Sequence, residues 1–201
     1  MTTLITIFTG AALAFSVFAL IFTIRRRGTR ARIKAAFELL AATLQMENAH
    51  IQQLPTVTLN GTYRTYPMLI ECPVRRDGAK RVGRWRITTE LSRLLDKRLY
   101  VQGEAHEAIM RKFADLHVVT TGNKDFDKRM SVFCSDREFA KKVFNPYLRQ
   151  RFMWAGFTNF TMEIKENISI MEIVLNLDVN VRYVRHALEA WTEFLNILES
   201  V

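Results

Sequence analysis

Residues 56–89 read TVTLNGTYRTYPMLIECPVRRDGAKRVGRWRITT, and their spacing decides the fold. Val57 and Leu59, then Met68, Ile70 and Cys72, then Trp85 and Ile87, are apolar positions separated by single, mostly polar neighbours. A period of two sends alternate side chains to one face, as in a half-buried β-strand, whereas a helix would need apolar residues three and four apart. The pattern predicts antiparallel strands, the first pair joined near Thr65 to Pro67 and a further strand covering Gly83 to Thr89. Between Pro73 and Gly83 the dipeptide Asp77-Gly78 is a hairpin signal, because a tight hairpin turn needs residues that accept positive φ. In the strand that follows, Trp85 and Ile87 share one face and Arg84 and Arg86 the other. The cluster Arg75, Arg76, Lys80, Arg81, Arg84 and Arg86 is therefore expected on a hairpin tip and its flanks.

Toward the C-terminus, Leu99 to Val101, His117 to Thr120 and Met130 to Cys134 read as further strands, and Glu104 to Lys112 as a short helix. Ser135-Asp136-Arg137-Glu138 matches a capping box, in which the serine hydroxyl and the glutamate carboxylate each satisfy a free backbone N–H; it predicts a helix from Asp136 to Phe144. Pro146 suits the first turn of the next helix, with Tyr147, Leu148, Phe152 and Met153 as its apolar face. Thr158 to Lys165 and Ile168 to Asn176 read as two strands separated by a tight turn at Glu166-Asn167. From Val179 to Glu199, Val181, Val184, Leu188, Trp191, Leu195 and Leu198 recur at intervals of three and four. That stripe is read as a core helix lying across the sheet, since it is too short to sustain a coiled-coil seam.

Working toward the N-terminus, Ile33, Phe37, Leu40 and Leu44 predict an amphipathic helix from Arg32 to His50, ended by Pro55. Ahead of it, Leu4 to Ile24 carries no charge, and at about 1.5 Å per residue it matches a hydrocarbon core roughly 30 Å thick. A secretory signal peptide would carry a positive segment before the apolar run and a small-residue cleavage site after it, and neither pattern is there. Arg25, Arg26, Arg27, Arg30, Arg32 and Lys34 follow at once, so the positive-inside rule predicts an N-terminus outside and a domain in the cytoplasm. The expected organisation is a transmembrane helix at 1–24, a basic juxtamembrane segment and amphipathic helix at 25–55, and a cytoplasmic α+β domain at 56–201, an antiparallel sheet covered by helices. Thr6, Gly10 and Ala14 recur every fourth residue on one face of the membrane segment. Such small residues let a second transmembrane helix approach, so membrane lipids and integral membrane proteins are the expected partners.

The net charge of +9 is concentrated. Residues 25–34 contribute +6 and residues 75–86 contribute +5, more together than the whole chain, so the remainder is slightly acidic. Cys72 and Cys134 are far apart in apolar surroundings, which suits two free thiols in a reducing compartment. The chain has no phosphate-cradling Gly-x-x-x-x-Gly-Lys loop, no dinucleotide fingerprint and no Gly-x-Ser-x-Gly elbow. His50, His106, His117 and His186 stand apart without a second ligand at metal spacing. Asp125-Phe126-Asp127, flanked by Lys124, Lys128 and Arg129, is read as a capped turn whose aromatic enters the core. No catalytic residue, metal or cofactor is expected, and the chain is read as a non-enzyme. For the basic hairpin three readings stand: docking to anionic lipid or an acidic partner, a solvated strand face, and, least favoured for a domain held at a bilayer, nucleic acid.

Gly61-Thr62-Tyr63-Arg64 with Pro67, and Thr121-Gly122-Asn123-Lys124-Asp125-Phe126-Asp127 continuing through Val132, Ser135, Asp136 and Ala140, carry a resemblance. On these residues the chain resembles uncharacterised bacterial single-pass membrane-anchored proteins with one N-terminal helix and a soluble α+β domain. Thr65 stands where that group has a glycine, and Met130 where it has an aromatic. The resemblance implies the architecture alone and no activity; the expected location is the bacterial cytoplasmic membrane. Taken together, these readings lead to the expectation of a structural or accessory subunit of a larger membrane complex. The alternative is a stand-alone membrane-surface binder that uses the basic hairpin.

Overall fold

The structure, a computed structural model, describes residues 28–53, 56–77, 80–103, 115–155, 160–176 and 181–201, with the backbone alone at 74–77, 80–82, 174–176, 181 and 182. A helix, α1, occupies 28–44. The strands are β1 (Glu47–Gln52), β2 (Thr58–Tyr63), β3 (Tyr66–Glu71), β4 (Val74–Asp77), β5 (Lys80–Gly103), β6 (His117–Val119), β7 (Met130–Cys134) and β8 (Phe160–Asn176). The remaining helices are α2 (Lys124–Arg129), α3 (Arg137–Val143), α4 (Pro146–Trp154) and α5 (Val181–Ser200). Every strand pairing is antiparallel, in the order β1-β2-β3-β5-β7-β6, with β4 and β8 also hydrogen-bonded to β5. The fold is thus α+β, an antiparallel sheet with helices.

β5 is the axis of the sheet. Its first half pairs with β3 and β4 on one side, its second half with β7, and β8 runs beside both halves. In the first half burial alternates, with Trp85, Ile87, Thr89 and Leu91 inside and Arg84, Arg86 and Glu90 exposed. In the second half Leu99 to Gly103 are all buried, so both faces there are covered.

Helix α1 lays Ile33, Phe37, Leu40 and Leu44 onto the apolar face, and α5 adds Val184, Leu188, Trp191, Leu195 and Leu198 to the same buried cluster. Phe37 meets Trp85 edge-on, ring centroids 5.2 Å apart. The buried indole of Trp191 donates to Ser169 Oγ at 3.2 Å, which satisfies its N–H. Beneath α3 and α4, Phe144 touches Phe126, Phe152 and Phe194 with centroids 5.7 to 6.0 Å apart. A smaller group, Tyr100, Leu116 and Phe133, packs apart from the main core.

Four local expectations are corrected. The N-terminal helix stops at 44, not at His50, and Glu47–Gln52 is an edge strand instead. Gln45 adopts a left-handed conformation (φ 51); its N–H reaches Ala42 O at 3.2 Å and that of Met46 reaches Ala41 O at 3.0 Å, a helix-ending pair of bonds that normally advertises itself with glycine. Residues 160–176 form one strand: Glu166 (φ 59) marks an irregularity in the pairing with β5, not a hairpin turn. Apolar positions in β8 switch there from Phe160, Met162 and Ile164 to Met171 and Ile173, and the kink returns both sets to the core. The cap of α3 is Asp136, which accepts from the Glu138 and Phe139 N–H groups, while Ser135 Oγ accepts the Arg98 N–H at 3.0 Å. Tyr147 is exposed, leaving Leu148 and Phe152 as the buried face of α4.

Both long helices run the same way along the sheet. Past Phe37 at Trp85, α1 leads to Met46, whose Cε would lie 3.1 Å from a Cβ at Gly61, level with Thr89 across the ladder. Its residue 28 therefore sits toward the opposite end, where β4 and β5 turn. Helix α5 follows β8, whose Asn176 pairs with Val82 at that end, and finishes beside Ser92 and Arg93. No helix among the described residues is long and apolar enough to cross a membrane. The expected span at 1–24, with Thr6, Gly10 and Ala14, lies outside the described residues, as do Arg25, Arg26 and Arg27 and the expected helix at 104–112.

Candidate functional site

The basic hairpin is in place, and its register divides it in two. Val74 pairs with Gly83, Arg75 with Val82, Arg76 with Arg81 and Asp77 with Lys80. Arg76 and Arg81 are thus direct cross-strand partners, and like charges opposite each other in an antiparallel pair are destabilising unless an anion lies between them. Farther along β5 the charge is already answered. Glu172, opposite Arg86 on β8, reaches Arg84 and Arg86 with both carboxylate oxygens at 3.3 Å. Glu71 on β3 is the other ladder neighbour of Arg86. Of the expected docking residues, Arg84 and Arg86 are therefore internally paired, while Arg75, Arg76, Lys80 and Arg81 form the terminal group. Arg30 lies in α1, near the end at which that helix meets the sheet.

At the far end of the same half-sheet lies a polar latch that the sequence reading did not single out. The Tyr66 hydroxyl donates to Asn196 Oδ1 at 3.0 Å and to Glu199 Oε2 at 3.1 Å. Glu199 Oε1 accepts the Ser92 N–H at 2.8 Å, Arg93 donates to the Leu198 carbonyl at 2.9 Å, and Arg64 pairs with Glu193 at 3.2 Å. Partial burial opposes ionisation of Glu199, but the Ser92 and Tyr66 hydrogen bonds prevail and hold its carboxyl below the usual range. Burial, and then the Glu199 charge, push the Tyr66 hydroxyl up, so it stays a neutral donor. These contacts fasten the last turn of α5 to β3 and β5. The only sequence signal for them was a tyrosine in a strand and acidic residues on a core helix.

Several other titratable groups among the described residues are engaged structurally. Asp127 accepts from Thr121 N–H, Thr121 Oγ1 and Gly122 N–H at 2.8 to 3.2 Å, Asn123 caps α2, and Phe126 is fully buried. An open polar cleft is lined by Asp96, Lys97, His117, Ser135, Asp136, Arg137 and Glu138. Lys97 is committed there to Asp96 at 2.9 Å, which raises its pKa, and to Asp136 at 3.7 Å. Among the described residues no group of three or more His, Cys, Asp or Glu side chains is arranged to hold a metal ion. Cys72 and Cys134 are free and buried, and burial pushes the Cys72 thiol up to about 12. His106 lies outside the described residues.

The fold and this surface define a class: an antiparallel sheet backed by two long helices, with a basic hairpin at the end where α1 begins. No family model matches the chain, and no curated protein sequence matches it. Among solved structures it is similar to the crystal structure of the mycobacterial trehalose monomycolate transport factor A, TtfA. The two superpose with a TM-score of 0.54 at 11% identity, over 86% of this chain and 95% of that one. At that identity the likeness is one of fold.

Proposed function

We propose that this protein is a non-enzymatic accessory subunit of a bacterial membrane complex, anchored by the helix predicted at Leu4 to Ile24 and bracing the cytoplasmic face through its α+β domain. The observation that carries the reading is the uncharged stretch Leu4 to Ile24; the likeness to a mycobacterial transport factor, which extends over 95% of that chain, is one of fold. The uncharged segment and the arginines behind it support the membrane attachment. The Thr6, Gly10 and Ala14 face supports a helical membrane partner.

Extraction of the full chain in mild detergent, followed by sizing and identification of co-purifying proteins, tests the reading. An accessory subunit elutes well above its 23.4 kDa chain mass plus micelle, together with an integral membrane protein. Elution alone, at chain mass plus micelle, contradicts it and favours a stand-alone surface binder.

A further inference from the structure

We infer that the outward face of α4, formed by Tyr147, Arg151 and Trp154, is a docking surface for an acidic protein domain on the cytoplasmic side. The inference rests on the anchored reading and adds to it the face that meets the partner and the partner's chemistry.

Three observations carry it. First, α4 is apolar on both faces. Leu148 and Phe152 are fully buried, whereas Tyr147 is 49% and Trp154 74% exposed. A surface helix ordinarily turns polar residues outward, and tryptophan is highly buried on average. Positions 147, 151 and 154 are four and three apart, so they line one stripe of the helix. Second, the stripe is ordered before any partner arrives. Arg151 Nε donates to the Tyr147 hydroxyl at 3.2 Å, and its guanidinium lies 5.7 Å from the centre of the Tyr147 ring. Tryptophan, tyrosine and arginine carry much of the binding energy at protein interfaces, and side chains held in place beforehand lose less entropy on docking. Third, the layer that holds the stripe is basic. Residues 124–154 carry eight Lys and Arg against four Asp and Glu, a net +4. Three of those acids are committed within the layer: Asp127 to the Thr121-Gly122 turn, Asp136 to the start of α3 and Glu138 to Lys141. The complementary surface is a pocket for the indole ringed by carboxylates.

Position fixes the class of partner. Phe152 meets Phe160 with ring centroids 6.0 Å apart, and Phe160 begins β8, whose Thr161 pairs with Gln102 near the end of β5. Most of β5 thus lies between Trp154 and the level at which α1 begins. A bilayer entered through α1 is beyond the reach of this stripe. A second copy offering the same face would be repelled by its charge, and a phosphate backbone would meet exposed Asp125 and Glu138 among the cations.

Trp154 is its own reporter, because Trp85 and Trp191 are buried. The test compares the full chain, extracted in mild detergent with its co-purifying protein, with the full chain stripped of that protein and placed in phosphatidylcholine nanodiscs. Acrylamide quenching of Trp154 is expected to be about threefold weaker in the complex and to recover as high salt releases the partner. Arg151→Glu and, separately, Trp154→Ser are expected to lower the yield of the co-purifying protein about tenfold, with denaturation midpoint and membrane retention unchanged. Arg86→Gln, on the outer face of the sheet, is expected to keep it. Full yield from both α4 variants, or a Trp154 as open in the complex as alone, overturns the inference while the accessory reading stands. Shielding of Trp154 in the stripped chain by phosphatidylglycerol discs or by single-stranded oligothymidine overturns it in favour of lipid or nucleic acid. A dimer of the stripped chain that the α4 variants dissolve overturns it in favour of a second copy. A full chain that elutes from the mild extraction without a partner overturns the accessory reading, and the inference with it.

Discussion

The two halves of β5 are one strand in two environments. From Gly83 to Leu91 the burial alternates and the outer face carries Arg84, Arg86 and Glu90, whereas from Leu99 to Gly103 every residue is buried. The lower half, with β6, β7 and the phenylalanines around Phe144, derives its stability from apolar burial on both sides. The upper half is covered on one side by α1 and α5 and leaves the face with Arg84, Arg86 and Glu90 exposed. One half builds the body and the other half presents it.

The sharpest contrast is between a ring in the lower core and an ion pair on the upper face. Phe144→Ala removes the centre of a four-ring cluster and is expected to destabilise by about 3–5 kcal/mol in denaturant titration. Gly61→Ala comes next. Its Cβ would sit 3.2 Å from Ala49 Cα and from Glu47 O, backbone atoms that cannot rotate away, so a loss of about 1–3 kcal/mol is expected from strain at β1. An unchanged midpoint would mean that the edge strand yields freely.

Tyr66→Phe deletes the hydroxyl that joins β3 to Asn196 and Glu199, with an expected loss of about 1 kcal/mol. The same latch has a pH signature. Because the folded-state pKa of Glu199 is depressed, its stabilisation is complete above the ordinary carboxylate value of 4.5 and is lost as pH falls through the folded value. Glu199→Gln should therefore flatten the acid limb of a stability–pH profile measured below about pH 5. A variant limb as steep as the parent's would remove Glu199 from the account. Smallest is Arg86→Gln. Arg86 is 46% exposed and Glu172 keeps Arg84, so the midpoint should move by less than about 1 kcal/mol. A larger loss would mean that the outer face holds the upper half together, and the contrast between the halves would fail.

What could be read from the residues follows the same division. Val57 to Thr89 was legible because one face is wet and the period of two survives. Edge strand β1 was hidden: Glu47–Gln52 has a single partly buried residue, Ile51, and the helix before it ends on Gln45, with no glycine to mark the stop. Glu166-Asn167 has the composition of a turn, yet a strand paired along its length to β5 absorbs it as a kink. The hairpin and its charge were legible from Asp77-Gly78 and the arginine spacing. Their division was not, because Glu172 lies 88 residues from Arg84 and only the β5–β8 register brings them together.

We propose that residues 4–24 hold this body at the cytoplasmic face. The most direct measurement follows the full chain, tagged after Val201, in bacterial spheroplasts. The account predicts that it stays with the membranes through an alkaline carbonate wash, and that external protease digests the tagged domain only after the spheroplasts are lysed. Release by carbonate, or digestion in intact spheroplasts, would contradict it.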